Sequence, residues 1–157
     1  MAALAQGGRV TVRSPKGFTP LLAAAQNGHT DICGLLLAHG SNVNEMVPGT
    51  KHTALHHAAL KGHEAVVEAL LSWGAAVDPQ NHIGATPLSC ACQEGYLPCV
   101  LTLLKSGASV SLPSYDGMLP IHNAAKKNGV EIVRCLVEFG QSSDMVSYNE
   151  IMLHQQN

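Results

Sequence analysis

Apolar residues recur in pairs along the chain, at a spacing that predicts a series of short helices. Four such pairs are Leu36-Leu37, Leu70-Leu71, Leu103-Leu104 and Leu136-Val137. Each pair follows another apolar pair about one helical turn earlier, so both pairs lie on one face of an α-helix. A shorter stretch rich in Ala and Leu comes before most of these helices. The pattern therefore predicts helix pairs in which the second helix buries one apolar stripe.

The chain repeats one segment in register. Its copies begin at Thr19, Thr53, Thr86 and Leu119. The spacings are 34, 33 and 33 residues, which indicates that one structural unit recurs along the chain. A threonine hydroxyl accepts hydrogen bonds from the unpaired amides of a first helical turn, so three of the four starts are predicted helix caps. Proline, which is favoured at the first helical position, follows at Pro20, Pro87 and Pro120.

Glycine and asparagine mark where the predicted helices end. Nine residues after each start stand Gly28, Gly62, Gly95 and Asn128. These residue types tolerate the left-handed backbone that commonly ends a helix. Twenty-one residues after each start stand Gly40, Gly74, Gly107 and Gly140, where we expect the second helices to end.

The repeated unit resembles the ankyrin repeat. The resemblance is carried by Thr53-Ala-Leu-His56-His-Ala58-Ala59 with Gly62-His63, followed by Leu70-Leu71-x-x-Gly74-Ala75-x-Val77-Asp78. It covers roughly residues 14–147. It implies an all-α fold: a solenoid of stacked antiparallel helix pairs, with hairpin-like loops projecting from one edge.

The register divides the chain into full and partial units. We predict ankyrin repeats at residues 14–46, 47–80, 81–113 and 114–147. Residues 1–13 match the tail of a preceding unit, and residues 148–157 match the start of a truncated further repeat or form a tail. We interpret the chain as a piece of a longer array. The loop from Glu45 to His52 is one residue longer than its counterparts.

Composition and charge narrow the class of partner. Lysine and arginine number 9 against 11 aspartates and glutamates, a net charge of −2, so we expect no direct nucleic-acid binding. The longest apolar run, Ile32 to Ala38, is far shorter than the roughly 18 residues of a membrane span, so we expect no membrane insertion. The 5 cysteines are an odd number without a disulfide pattern, which indicates a reducing compartment, the cytoplasm or the nucleus.

Candidate chemistry is sparse, and we predict no catalytic residue, metal or cofactor. His29 and His63 share one repeat position and His56 and His122 share another, and the resemblance implies structural roles for both. His52, His56 and His57 form a local cluster that leaves a metal site as an alternative. Cys90 and Cys92 point about 200° apart on one helix, which is wrong for shared zinc ligation. A metal- or thiol-dependent enzyme using Cys90, Cys92 or His57 is the least supported hypothesis.

The remaining hypothesis is that the chain binds a partner through its exposed surface. By resemblance, the concave face of loop tips and first helices is the site for a protein or peptide partner. The predicted partner-binding residues are Phe18, His52, His57, Leu60, Lys61, Glu94, Tyr115, Met118, Asn123, Lys126 and Lys127. We predict a monomeric, non-enzymatic protein–protein interaction module, an adaptor or scaffold with no small-molecule substrate.

Two alternatives to this hypothesis remain open. Phe18 and Met118 alternatively pack between adjacent loops without touching a partner. The whole chain is alternatively a structural spacer within a larger protein, with no ligand of its own.

The resemblance also implies that Asn44 is a candidate for asparagine hydroxylation, because it ends a segment typical of that modification.

Overall fold

The computed structural model of the chain describes residues 9–143 and shows the predicted helix pairs. A 3₁₀ turn at Arg9–Thr11 comes first. The α-helices that follow are α1 Pro20–Gln26, α2 Thr30–Ala38, α3 Ala54–Lys61, α4 Glu64–Ser72, α5 Pro87–Glu94, α6 Leu97–Lys105, α7 Pro120–Lys126 and α8 Val130–Ser143. Within residues 9–143 the extended structure consists of one isolated bridge between Met46 and Thr53. The all-α prediction is confirmed.

The helices stack in two parallel rows. The inner helices α1, α3, α5 and α7 pack side by side, the outer helices α2, α4, α6 and α8 form a second row, and each inner helix packs on the outer helix that follows it. Most of the paired apolar positions predicted from the sequence lie between the rows, where Val66, Val67 and Leu70 are fully buried, whereas Ile32 and Val137 are exposed. None of the helices in the described part of the chain is long and apolar enough to cross a membrane.

Threonine hydroxyls cap the N-termini of three inner helices, as predicted. The Oγ1 atom of Thr53 accepts from the His56 amide at 3.3 Å, and that of Thr86 accepts from the Ser89 amide at 3.2 Å. Thr19 caps α1 in the same way. At α7 the cap is Leu119, which has no hydroxyl. There the Leu119 amide donates to Nδ1 of His122 at 2.9 Å, so the helix start keeps one of its two capping bonds.

The predicted helix ends are confirmed at the inner helices and at α2, α4 and α6, but not at α8. Asn128 takes a left-handed conformation with φ 64°, in the place that glycine holds in the other repeats. The expectation that Gly140 ends the last helix is wrong, because α8 continues to Ser143. Glycine permits a left-handed turn without requiring one. In the other repeats a backbone amide just after the glycine donates to a carbonyl near the end of the helix and so ends it. The Ala75 amide, for example, donates to the Leu70 carbonyl.

The connecting loops form hairpins of one design. In three of them a backbone amide donates to the carbonyl four residues on, as from Asn81 to Ala85 at 3.0 Å and from Ser114 to Met118 at 2.9 Å. In the second hairpin the bond runs from Val47 to His52, five residues on. The extra residue of this loop is therefore held inside the hairpin, where Lys51 takes a φ of 59°.

Neighbouring hairpins are joined by backbone hydrogen bonds. The amide of His82 donates to the Thr50 carbonyl, and the amide of Tyr115 donates to the Ile83 carbonyl, both at 3.0 Å. Pro48 holds the same hairpin position in the second repeat and has no N–H to donate. Its ring lies against Gly17 instead. The hairpins therefore form one continuous row beside the inner helices.

The row of hairpins predicts a difference between two glycines that share a positive φ. A Cβ at Gly84 would stand 2.6 Å from the Tyr115 amide nitrogen, whereas a Cβ at Gly74 would meet nothing within 4 Å. We expect Gly74→Ala to cost about 1 kcal/mol of unfolding free energy through backbone strain. Gly84→Ala should cost at least about 2 kcal/mol more, because it also separates two hairpins. Urea unfolding followed by circular dichroism measures both, and equal losses would show that the hairpin contact contributes no stability.

Candidate interaction surface

A groove runs between the hairpins and the inner helices of the third and fourth repeats. It encloses about 580 Å³. Its lining residues are His82, Ile83, Ala85, Gln93, Ser114, Tyr115, Asp116, Met118, Asn123 and Lys126. Tyr115, Met118, Asn123 and Lys126 are among the partner-binding residues predicted from the sequence. The structure brings these four side chains together at one site.

The hairpin tips hold large apolar side chains out in solvent. Tyr115 is 69% exposed and Ile83 is 53% exposed, although both belong to hairpins fixed by backbone bonds. Asp116 stiffens the fourth tip, since its Oδ1 accepts from the Ser114 hydroxyl and from the Met118 amide. These bonds, first that from Ser114, lower the pKa of the Asp116 carboxyl. The apolar wall of the groove is thus presented by a braced loop.

A second cavity of about 680 Å³ lies beside the first repeat. It is lined by Val12, Arg13, Ser14, Lys16, Phe18, Thr19, Pro20, Ala23 and Gln26. Of these residues only Phe18 is among those predicted from the sequence. The cavity repeats the placement of the groove, between one hairpin and the inner helix that follows it. This cavity could have been found from the sequence by extending the hairpin register back to Val12.

A block of aromatic rings stands between the two cavities. Its members are Phe18, His52, His56, His57 and His82. The ring of His57 lies 5.2 Å from that of Phe18 and 5.2 Å from that of His52, measured between centroids. The repeat register predicts that His57 lies on the exposed face, but its side chain is only 7% exposed. Phe18 and His52, from the ends of two hairpins, cover it.

His56 links the second repeat to the third. Its Nδ1 accepts from the Thr53 amide at 3.1 Å, which places the proton on Nε2. Nε2 then donates to the Ala85 carbonyl at 2.9 Å. Burial, which disfavours the charged ring, lowers the pKa of His56 to about 4, and the nearby His52 and His57 add to this effect. The structural role that the resemblance implies for His56 is therefore found in the structure.

His57 differs from His56 because its Nε2 is buried without a hydrogen-bond partner among the described residues. Burial is the main cause that lowers its pKa to about 4, and the nearby His52 and Lys61 lower it further. An unsatisfied buried polar atom of this kind costs about 1 to 3 kcal/mol. The block therefore holds a neutral histidine in place at some expense of stability.

Two other histidines, His63 and His82, make contacts between neighbouring repeats. Nε2 of His63 donates to the Gln26 carbonyl of the first repeat at 3.0 Å, and its ring packs over Gly28. Nδ1 of His82 donates to the Thr50 carbonyl at 2.9 Å. His29, which shares the position of His63, is exposed and its ring caps no helix, so the structural role implied for it is not found within residues 9–143. Over residues 9–143, no group of three or more histidine, cysteine or acidic side chains is placed to hold a metal ion.

All five cysteines are free, and most are buried. Burial raises the pKa of the Cys90 and Cys92 thiols to about 12 and that of Cys99 to about 11. A thiol nucleophile needs a lowered pKa and a partially exposed position. These side chains have neither property, so the thiol-dependent alternative gains no support from the geometry.

The remaining predicted partner-binding residues lie along the inner helices. Lys61, Glu94, Lys126 and Lys127 are exposed, and Leu60 is half-buried against the core. The Lys127 side chain passes over Gly95 of the preceding repeat.

Asn44 lies outside this surface. Its Oδ1 accepts from the Ala76 amide at 2.9 Å and so ties the first two repeats together. The Asn44 side chain is exposed, and its hydroxylation stays a prediction.

Comparison with known proteins finds one family and several relatives. The family described as ankyrin repeats (3 copies) matches residues 2–81 and 42–114. The chain is 44% identical over 90 residues to ankyrin repeat and KH domain-containing protein mask-1 of Caenorhabditis elegans. It is 42% identical over 76 residues to human ankyrin repeat domain-containing protein 17. It is 40% identical over 83 residues to probable E3 ubiquitin-protein ligase XBOS31 of rice.

These similarities cover part of each protein. They span 57%, 48% and 53% of this chain in the nematode, human and rice comparisons. They span 3% of the nematode and human proteins and 18% of the rice protein. The chain therefore matches a small fraction of the length of these curated relatives.

The buried histidines predict that the fold weakens in mild acid. His56 and His57 have pKa values of about 4 when folded against 6.5 when exposed. The unfolded chain therefore binds more protons below pH 6.5, and stability falls as the pH drops from 6.5 towards 4. At about pH 5 each site should cost about 1 to 2 kcal/mol relative to neutral pH. Urea unfolding at the two pH values measures the loss.

Two matched variants test whether the loss of stability in acid arises in the block of aromatic rings. His57→Leu should remove about half of the acid-dependent loss. It should leave neutral-pH stability unchanged or raised, because the unpartnered Nε2 is gone. The same change at His29, an exposed histidine whose side chain makes no capping bond, should keep the full loss. An unchanged acid loss in His57→Leu would contradict the account.

Proposed function

The chain belongs to the ankyrin repeat family, and we propose that it acts as an adaptor or scaffold by docking a protein or peptide partner in the groove of its third and fourth repeats. Ankyrin repeats are a protein–protein interaction module. The finer proposal concerns where this chain binds and what the binding accomplishes. In this proposal the chain is monomeric and makes no chemical change in its partner.

The observation that carries the proposal is the pairing of exposed apolar side chains with a braced backbone. Ile83 and Tyr115 project from adjacent hairpins whose amide and carbonyl are bonded at 3.0 Å. Burying exposed apolar surface yields about 25 cal/mol per Å². Tyrosine is among the residues that most often dominate binding energy. Because the hairpins are fixed before binding, little of this energy is lost in ordering the site.

Polar groups along the floor give the groove a means to orient its partner. Gln93 and Asn123 lie on neighbouring inner helices, and both carry amide donors and acceptors. Asn123 is half-buried at the position where the second and third repeats have His57 and Cys90. A peptide lying across these helices would place its backbone groups against the two amides. Such a partner is an extended segment or an exposed loop.

The names of the relatives indicate the kinds of longer protein in which such a module occurs. One is named for KH domains in addition to ankyrin repeats, and another is named an E3 ubiquitin-protein ligase. In our proposal the module recruits a partner to a longer polypeptide, without an enzymatic role of its own. The proposed compartment is the cytoplasm or nucleus, where reducing conditions keep the free cysteines unpaired.

The experiment that tests this proposal removes the apolar wall of the groove. We expect the double variant Ile83→Ser/Tyr115→Ser to lose specific partners in quantitative affinity capture, while its thermal unfolding stays close to that of the wild type. The physical reason is that both side chains are more than half exposed and contribute more to an interface than to the core. Mass spectrometry of the captured proteins provides the measurement.

Trp73→Ser is the matched control for this test. Trp73 is also a large exposed apolar residue, but it lies at the end of the outer helix α4. The control should recover the same partners as the wild type. Partners that persist with the groove variant and vanish with the control would overturn the proposed site. Identical recovery with all three proteins would favour the spacer alternative.

A further inference from the structure

The fourth repeat presents apolar positions to solvent that the earlier repeats bury. Ala125 is exposed, whereas Ala59 and Cys92 at the same repeat position are fully buried. Val137 is 42% exposed, and Leu104 at its position is only 5% exposed. The earlier residues are buried because the next repeat packs against them. The residues of the fourth repeat at such positions, which we call the end face, are Ile121, His122, Ala125, Val133 and Val137.

The end face also contains a hydrogen-bond donor. Nδ1 of His122 accepts from the Leu119 amide at 2.9 Å, so the ring proton is on Nε2. His56 holds the same position in the second repeat, and its Nε2 donates to the Ala85 carbonyl of the next repeat. Within residues 9–143 the Nε2 of His122 has no such acceptor. The end face therefore carries both the apolar surface and the donor of a contact between repeats.

Residues 144–157 are the segment of this chain closest to the end face. They follow α8, which carries Val133 and Val137 and ends at Ser143, about 9 Å along the helix axis from Val137. Extended over its whole length, the segment reaches about 46 Å, and α8 is about 21 Å long. The segment is therefore long enough to turn back and cross both helices of the fourth repeat.

The composition of this segment suits an apolar surface. Its acidic residues are Asp144 and Glu150, and it contains no lysine or arginine. The prediction that residues 148–157 match the start of a further repeat lies outside the described residues. The apolar and aromatic residues of the segment are Met145, Val146, Tyr148, Ile151, Met152 and Leu153.

We propose that residues 144–157 turn back over the end face and close the solenoid. Ile151 and Leu153 pack on α7 and α8, and a backbone carbonyl of the segment accepts from Nε2 of His122. Because the segment is joined to α8, it meets the end face at an effective concentration of roughly millimolar, which favours it over a second copy of the chain. The contact involves none of the residues that line the groove, so it goes beyond the proposed function.

Amide hydrogen exchange in the whole chain tests the proposal. Ile151→Asp/Leu153→Asp places two charges where we propose apolar packing, and it should speed exchange in α7 and α8 about tenfold, because an uncovered end repeat opens more readily. Gln155→Asp/Gln156→Asp adds the same charge at polar positions of the segment and should change this exchange less than about twofold. Exchange in α3 and α5 should be unaltered in both variants, which shows that the central repeats stay folded.

A second pair of variants locates the contact on the end face. If Val137 packs against the segment, Ile151→Asp/Leu153→Asp should change exchange less than about twofold when Val137→Asp is already present, since the contact is already lost. In a Val130→Asp background the tenfold effect should persist. Val130 is the matched control because it begins α8 at the position where Glu64 begins α4.

Three results would overturn the proposal. Equal exchange in the wild type and in Ile151→Asp/Leu153→Asp would show that the segment leaves the end face open. A tenfold effect that persists with Val137→Asp would place the segment elsewhere. Protection that rises with protein concentration, with dimers in sedimentation velocity, would assign the face to a second copy, stacked through its exposed Ile32 and Leu35. None of these results bears on partner capture by the groove, so the proposed function is tested separately.

Discussion

Contact between successive repeats is the constraint on which the rest of this structure depends. A single helix pair of this size leaves one apolar side uncovered, and only a neighbouring pair covers it. In this chain the contact is completed by directional bonds. His56 reaches across to the Ala85 carbonyl from a fully buried position, and the amide of Tyr115 reaches back to Ile83. Where Pro48 cannot donate, its ring packs on Gly17 and keeps the row continuous. Each hairpin is therefore positioned by the repeat beside it as much as by its own turn.

Because neighbours position each hairpin, the proposed binding surface is ordered in the chain by itself. Its middle is filled by rings from the first three repeats, and its two ends are left open as separate cavities. The filled middle has an energetic cost, since the Nε2 atom of His57 is enclosed without a hydrogen bond. It also makes the stability of the central repeats depend on pH, because a buried neutral histidine favours the folded state only while it stays neutral.

The sequence predicted features that are set locally and missed those set between repeats. Thr53 and Asn128 were correctly placed as a cap and a helix end, because each acts within its own helix. The repeat register also grouped Tyr115, Met118, Asn123 and Lys126 on one surface, and the structure brings them to one groove. The burial of His57 was not predictable from its position, since it depends on Phe18 in another repeat. Gly140 was wrong because a glycine allows a helix end without enforcing one.

Native-state hydrogen exchange of the hairpin amides tests the central claim most directly. The amides of His82 and Tyr115 cross between repeats, and that of Asn81 closes its own hairpin. If contact between repeats fixes the surface, these amides should exchange as slowly as those in the inner helices α3 and α5, through cooperative opening of whole repeats. Fast exchange of the hairpin amides beside protected inner helices would contradict the account. The groove would then be ordered by its partner rather than presented to it.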